Sequence, residues 1–558
     1  MVLSQLALGI HCLVQASSAP GPQFSLPQIR ENVRCKPKLK LASVQFAASA
    51  ASRAFENDNA PGAPEPETLY KAFNLSVPVD HFHNDSSYEP HSNGSFPLRY
   101  WYDDRFYKPG GPVIALASGG TSGEYCLGDL QKGIIAILAE ATNGVGVILE
   151  HRYYGRSYPT RDYSTKDLRF LTTDQALADT AYFAQHIAFP GKLTEFNLTA
   201  PGTPWIFYGG SYAGAFVAFL RKVYPEIFWG AISSSGVTAA IVDYWEYNEA
   251  ARFYSPKGCA ETTQKLTHIV DNILLQKSNT TKKDVLTLKK AFGLQNLTGD
   301  VDFAYIISGG ISELQYRNWD PASDGRGFLR YCGNLTSSHV IWPGTENLDS
   351  TVRHLLKVGG YEDEIEELVP RLKNYIGYVN FTTNDCLNFW SDGRYAAGDL
   401  TQLWRPWRYQ KCTQWGYFVT GSGVPDNQLS LISRLIDIDY RTRSCRKAFN
   451  ITDLPDVDAI NKYGGYNFSY PCVAIIQGEA DPWRSATPNK KGLPRPESTV
   501  EEPNLVIGGG AVHHWEQNGV FKNETTPELP PLPVKEAQSF EVDFVQAWLR
   551  EWKETHSY

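Results

Sequence analysis

Residues 205–223 read WIFYGGSYAGAFVAFLRKV. Trp205 to Tyr208 form a short apolar run of strand character, and the apolar residues after Gly214 recur at helical spacing. The intervening Tyr208-Gly209-Gly210-Ser211-Tyr212-Ala213-Gly214 therefore joins a strand to a helix through a tight turn, which is the setting of a nucleophile elbow. Such a turn holds its serine in strained backbone geometry, so the residues two positions away must be small. Gly209 and Ala213 meet that need, with Ala where the simple pattern has Gly. Ser211 would open the helix, where free amides and the helix dipole favour a developing negative charge. A glycine-rich helix cap would look the same locally, so the partners have to come from elsewhere in the chain.

An elbow serine needs a base and an orienting acid, which follow it in the order acid, then histidine. Of the twelve His, only His513, His514 and His556 lie beyond the late strand-like runs. His556 falls in the terminal tail, expected to be disordered. His513 and His514 follow Asn504 to Ile507 and the turn Gly508-Gly509-Gly510, on a loop after a strand. The acid belongs on the loop after the preceding strand, Cys472 to Gln477. There Gly478-Glu479-Ala480-Asp481-Pro482-Trp483 offers both Glu479 and Asp481. An oxyanion hole needs two backbone N–H donors. Tyr212 would give one, and the loop Ser118-Gly119-Gly120-Thr121-Ser122-Gly123 after Val113 to Ala117 the other, its glycines allowing close backbone approach.

The runs Val113 to Ala117, Val145 to Leu149, Trp205 to Tyr208 and Gly230 to Ser234 alternate with helical patterns such as Asp174 to Ala188. This predicts an α/β fold with a mostly parallel sheet and helices on its faces. The alternation stops near residue 240. Residues 241–450 read as an inserted, mainly helical domain, in which Tyr361 to Leu368 is a solvated acidic helix face. Strand patterns resume afterwards. The chain closes on an amphipathic helix with Phe540, Phe544, Trp548 and Trp552 on one face. The expected organisation is a leader (1–19), a propeptide-like arm (20–68), the first part of the α/β domain (69–240), the insert (241–450) and the second part (451–558).

The 558 residues carry 60 acidic and 52 basic side chains, for a net charge of −8, with 42% hydrophobic and 20% charged residues. That composition is globular and argues against a disordered or fibrous chain. No long basic tract favours nucleic acid, and no apolar run approaches the ~18 residues needed to span a bilayer. Leu6 to Val14, followed by Ala16 and Ala19, reads as a secretory signal. Asn-x-Ser/Thr acceptors at Asn74, Asn84, Asn93, Asn197, Asn279, Asn296, Asn334, Asn380, Asn450, Asn467 and Asn523 suit a secreted glycoprotein. Loss of Cys12 with the leader leaves eight Cys, an even set compatible with disulfides; Cys472, inside an apolar run, is the one best read as a buried apolar residue. No C-x-x-C is present, so a zinc ribbon or thioredoxin motif is unsupported, and nothing points to a metal, nucleotide or organic cofactor.

Several motifs together resemble the prolyl carboxypeptidase family of serine peptidases. They are Val79-Asp80-His81-Phe82, Gly110-Gly111-Pro112, Glu150-His151-Arg152-Tyr153-Tyr154-Gly155-Arg156-Ser157 and Gln175-Ala176-Leu177-Ala178-Asp179. The series continues with Gly209-Gly210-Ser211-Tyr212, Trp407-Arg408-Tyr409-Gln410-Lys411-Cys412-Thr413 and Asp481-Pro482-Trp483. They run in order over about residues 70 to 550. The resemblance implies an α/β-hydrolase fold with an inserted helical cap, Asp481 as the acid, His513 as the base and a disulfide joining Cys412 to Cys445. It also implies peptide substrates, a preference for proline before the scissile bond with Trp483 stacking on that ring, and secretion or a vacuolar or lysosomal location. Two departures lie near the expected substrate site. Relatives commonly have Gly-Asn-Glu-Gly where this chain has Gly119-Gly120-Thr121-Ser122-Gly123, and often two glycines where it has Ala213-Gly214-Ala215. Carboxypeptidase, aminodipeptidase and endopeptidase action stay open, as does assembly, with a homodimer among the options. An esterase of the same fold and a catalytically silent glycoprotein are the rival classes; substrate profiling and labelling by a serine-directed fluorophosphonate separate them.

Overall fold

The computed structural model describes residues 65–556 except 277–279, 324, 384–392 and 495–496. The expected leader, the arm up to residue 64, Cys12 and Asn279 lie outside the described residues. Six strands open the fold: β1 (Phe73–Pro78), β2 (Ser95–Asp103), β3 (Val113–Ala117), β4 (Val145–Leu149), β5 (Trp205–Gly210) and β6 (Gly230–Ser234). Among the helices between them are α1 (Ile134–Thr142), α2 (Thr173–His186) and α3 (Tyr212–Val223). The region before the next sheet strand is largely helical and includes α4 (Cys259–Leu274), α5 (Gly327–Thr336), α6 (Ile365–Thr383), α7 (Arg405–Gln410) and α8 (Ile438–Phe449). It also carries a two-stranded parallel ribbon of β7 (Ile241–Asp243) and β8 (Gly416–Phe418). Strands β9 (Val473–Gly478) and β10 (Asn504–Ile507) and the long helix α9 (Leu532–His556) complete the chain.

The main sheet has eight strands in the order β1-β2-β4-β3-β5-β6-β9-β10. All pairings from β4 through β10 are parallel. Strands β1 and β2 were not legible as separate strands, and β2 runs antiparallel to both β1 and β4. The segment between β1 and β2 holds a single 3₁₀ turn and no α-helix of the kind that usually carries the crossover between parallel strands. With the serine turn directly after β5, this is an α/β-hydrolase fold.

The strands are apolar throughout because both faces are covered. Ile114, Leu116, Ile206, Tyr208 and Ile476 pack toward α1 and α9 in one core cluster. Val113, Ala115, Trp205, Phe207 and Ile475 pack toward α2 and α3 in the other. In α9, Phe544, Val545, Trp548 and Leu549 are buried. Trp548 closes on β6, where a Cβ at Gly230 would lie 2.8 Å from its ring. His556, expected in a disordered tail, is the last residue of α9, its ring stacked on Trp552 at 4.7 Å.

Disulfides join Cys259 to Cys332 and Cys412 to Cys445, and Cys126 is also disulfide-bonded. Cys472 is free and buried, so the eight cysteines do not all pair. The acidic stretch from Tyr361 is the solvated face expected, and its carboxylates also make surface ion pairs: Glu362 meets Lys357, Glu364 meets Lys265 and Glu366 meets Arg353.

Candidate active site

Ser211 sits between β5 and α3 with φ 63° and ψ −125°, a region that side chains enter only when the surroundings enforce it. The enforcement is visible. Ser211 N–H donates to Ser234 O on β6 at 2.8 Å. A Cβ at Gly209 would fall 2.2 Å from Ala213 O, so only glycine fits there. Ser211 is buried, and its Oγ has no hydrogen-bond partner among the described residues.

The other two chain segments converge on the same end of the sheet. Asp481 follows β9 and His513 follows β10. His513 Nδ1 and Asp481 Oδ2 are 2.9 Å apart, and both residues are almost wholly buried. Asp481 Oδ2 also accepts from Gln477 Nε2 at 2.7 Å, and Oδ1 accepts from Trp483 N–H at 2.9 Å. The carboxylate is thus held by three donors, which fixes the imidazole it faces. His514 N–H donates to Ser235 Oγ at 3.0 Å, and the His514 ring lies 3.3 Å from a Cβ placed on Gly210. These contacts bind the histidine loop to the elbow. The two alternatives left by spacing have other roles: Glu479 accepts from Gly510 N–H at 2.6 Å and shapes the glycine turn, while His514 has φ 37° and anchors the loop.

The Gly119 to Thr121 loop leaves β3 directly beside the elbow. Gly119 has φ +63°, and a Cβ there would lie 3.0 Å from the Ala213 Cβ and 3.5 Å from the Tyr212 ring. Gly120 and Thr121 are partly exposed next to it. Ser118 N–H donates to Leu149 O at 3.0 Å, and Ser118 Oγ donates to Thr121 O at 3.3 Å. Tyr212 N–H is the first amide of α3 and has no acceptor within the helix.

Glu150, His151 and Arg152 were legible only as part of a motif, and the structure shows what they hold. Glu150 accepts from Arg99 Nε and Nη2 at 2.8 and 2.6 Å, from Gly123 N–H at 3.0 Å and from Ser157 Oγ at 2.8 Å. It ties the loop after β3 to the ends of β2 and β4. A Cβ at Gly155 would come within 1.9 Å of the Glu150 carboxylate. Burial pushes His151 down to about 4, so its ring is neutral. Its Nδ1–H donates to Arg152 O at 2.8 Å, leaving Nε2 to accept from Tyr212 OH at 2.9 Å. Tyr212 OH accepts from Gln410 Nε2 at 2.9 Å, and Gln410 Oε1 accepts from Tyr154 OH at 2.5 Å. Gln410 ends α7, two residues before Cys412, so the helical region braces Tyr212, the first residue of α3. Arg152 clamps Asp179 of α2 with two hydrogen bonds of 2.6 Å.

Trp483 differs from the open stacking surface expected of it. Only 3% of it is exposed. Its ring stacks on Tyr244 at 5.3 Å and meets Tyr417 edge-on at 5.2 Å, and its Nε1–H donates to Gln315 Oε1 at 2.6 Å. The His513 ring is 6.3 Å away. An indole flanked by Tyr244, Tyr417 and Tyr247, the last edge-on at 5.2 Å, with its N–H satisfied, is a packed core side chain before it is a contact for substrate.

Behind the elbow lie three buried carboxyls. Glu516 accepts from Tyr208 OH at 3.1 Å and from Ser234 Oγ. Asp129 accepts from Gln517 Nε2 at 2.9 Å. Neither oxygen of Glu541 has a hydrogen-bond partner. Burial pushes Asp129 up to about 7 and raises Glu516 and Glu541 above the usual range. In the unfolded chain these groups ionise near pH 4. Between about pH 4 and 7 the unfolded chain therefore binds fewer protons, so their contribution to stability is complete below pH ~4 and is lost as pH rises. Each such group can remove at most about 1.4 kcal/mol per pH unit. Melting curves from pH 4.5 to 7.5 should show Asp129→Asn losing less stability with rising pH than the parent. Equal losses would contradict this account of Asp129.

A family model described as serine carboxypeptidase S28 matches residues 78–526. A probable extracellular serine carboxypeptidase of Arthroderma benhamiae is 48% identical over 494 residues, covering 86% of this chain and 68% of its own length. The serine protease vicPb of Bipolaris victoriae is 28% identical, covering 84% of this chain and 87% of its own. The thymus-specific serine protease of Mus musculus is 24% identical, covering 99% of both chains. Among solved structures, a proline iminopeptidase of Mycobacterium smegmatis matches 86% of this chain and 99% of its own at 12% identity and a TM-score of 0.32.

Proposed function

The chain belongs to the serine carboxypeptidase S28 family and is a serine-type peptidase, and we propose that Ser211, His513 and Asp481 are its catalytic triad, with proline preferred before the scissile bond. The observation that carries this reading is the 2.9 Å contact between His513 Nδ1 and Asp481 Oδ2, on loops bound to the Ser211 elbow. Ser211 Oγ attacks the peptide carbonyl while His513 Nε2 takes its proton. The tetrahedral oxyanion is held by Tyr212 N–H and an amide of the Gly119, Gly120, Thr121 loop. His513 then gives the proton to the leaving amine, and water clears the acyl-enzyme by the same route. Asp481 holds the imidazole with Nδ1 protonated and stabilises the imidazolium. The aromatic group of Trp483, Tyr244 and Tyr417 beside His513 forms the apolar wall against which a proline ring fits.

Residues 241–450 cap the cleft between the two parts of the hydrolase domain, and one of their side chains favours carboxypeptidase action. Arg317 has no ion-pair or hydrogen-bond partner for its guanidinium among the described residues. That group lies 3.8 Å from a Cβ placed on Gly510, three residues before His513. Burial lowers its pKa, the mark of a cation left partly desolvated without a counter-charge. A peptide's terminal carboxylate would supply that charge, with a paired and bidentate geometry that arginine favours. Secretion is supported by the glycosylation acceptors, since all those among the described residues are partly or fully exposed, by the disulfides, and by the printed description of the Arthroderma relative as extracellular.

The test uses peptides with prolines near each end and in the middle, their C-termini free or amidated, with products read by mass spectrometry. The expected result is cleavage after proline that releases the C-terminal residue, with amidation raising KM about 10- to 100-fold. Arg317→Met should lose most of that discrimination while still cleaving the amidated peptide. Internal cuts indifferent to the terminal charge would overturn the carboxypeptidase reading. Hydrolysis of esters with no peptide cleavage would overturn the proposal as a whole.

A further inference from the structure

The connection between β1 and β2 gathers Asp80, His83 and His91, one ligand atom from each lying within 4.8 Å of the others. Sequence spacing gave no hint of this, because the three are set by a turn and not by a helix or a knuckle. Asp80 is buried and His91 is partly buried, while His83 is exposed. The carboxylate is already oriented: Oδ1 accepts from Phe82 N–H at 2.9 Å and from Gln175 Nε2 of α2 at 2.7 Å. That leaves Oδ2, which faces His91 Nδ1 at 2.8 Å. The His83 ring packs 5.3 Å from the His91 ring and makes no hydrogen bond of its own among the described residues.

We propose that Asp80, His83 and His91 form a binding site for one zinc ion, with water in the fourth position. Two imidazoles and a carboxylate are the donor set such an ion takes, at about 2.0–2.2 Å from each ligand atom. At those lengths tetrahedral ligand atoms stand roughly 3.3 Å apart. The Asp80 and His91 atoms need to open by only about half an ångström from their 2.8 Å contact. His83 reaches the site by a rotamer change that its exposure permits. The second shell that fixes a ligating carboxylate is in place in Phe82 N–H and Gln175. The bound ion would cross-link the β1–β2 connection to itself and, through Asp80 and Gln175, hold it to α2. The site follows the edge strand β1, four strands across the sheet from β5 and Ser211, so it acts on stability and not on turnover.

The test is equilibrium binding of zinc chloride to the untagged full chain, stripped with EDTA and assayed at pH 7.5, followed by metal analysis and melting curves. The parent should bind one equivalent, and its Tm should rise by about 2–3 °C at a hundredfold excess over Kd. His83→Gln alone and His83→Gln/His91→Gln together should lose that equivalent and the Tm rise, while keeping the parent's peptidase activity as proof of folding. Ser211→Ala should bind zinc as the parent does. An Asp80–His91 pair serving only as a hydrogen bond predicts no bound zinc. That result, or one equivalent retained in the folded double variant, would overturn the proposal.

Discussion

Ser211→Ala is expected to lower kcat for peptide cleavage by about 10⁶-fold, the size of loss seen when a triad nucleophile is removed and only binding and oxyanion stabilisation remain. Folding should not suffer. Ser211 Oγ is buried without a hydrogen-bond partner among the described residues, so its deletion breaks no bond and relieves a hydroxyl of uncompensated desolvation. The strained φ of 63° is set by the Ser234 contact and by the fit of Gly209 against Ala213, and alanine inherits it unchanged. The variant's Tm should equal or slightly exceed the parent's, as when a site holds strain for function. Single-turnover assays beside a melting curve check both halves. A folded variant retaining more than a hundredth of the parent rate would remove Ser211 from the mechanism.

Asp481→Asn should lower kcat by about 10⁴-fold for a different reason. Asparagine keeps an oxygen for Trp483 N–H, but it turns an N–H toward His513 Nδ1 and Gln477 Nε2. Gln477 can answer by flipping its amide, since its Oε1 has no other partner. The imidazole can answer only by moving its proton to Nε2, where it can no longer accept one from Ser211. The fold is kept and the base is lost. Raising the pH cannot restore the base, because a neutral imidazole gives up its remaining ring proton only in extremely alkaline solution; the loss should hold across the working pH range while the melting curve stays that of the parent, a combination that a merely destabilised protein would not give. A variant as active as the parent at pH 7 would show that Asp481 does not orient the base.

How much of this could be read in advance depends on how local each feature is. The elbow is contained in 205–223, and strand, turn and helix all leave their marks there. The proposed acid and base could be narrowed by chain order but not chosen, because Glu479 and Asp481 share one turn and His513 and His514 are adjacent. What separates them is where each points: Glu479 meets Gly510 N–H and Asp481 meets His513. Glu150, His151 and Arg152 act on Arg99, Tyr212 and Asp179, far away in sequence, so residue type and spacing say nothing of their task. The burial of Trp483 comes from Tyr244, Tyr417 and Gln315, three residues of the helical region that no periodicity aligns with it. Arg317, proposed above to meet the substrate carboxylate, carries no such signal for the opposite reason. A lone arginine carries no signal until the chain around it leaves it without a partner.

The central claim is that Ser211 is the nucleophile of a peptidase, and covalent labelling tests it most directly. The folded protein would be treated with a serine-directed fluorophosphonate, digested and mapped by mass spectrometry while residual peptide cleavage is followed. The account predicts one adduct per chain, located on Ser211, with cleavage falling in proportion to labelling and no adduct in Ser211→Ala. An adduct on another residue, or cleavage that persists in fully labelled protein, would contradict it.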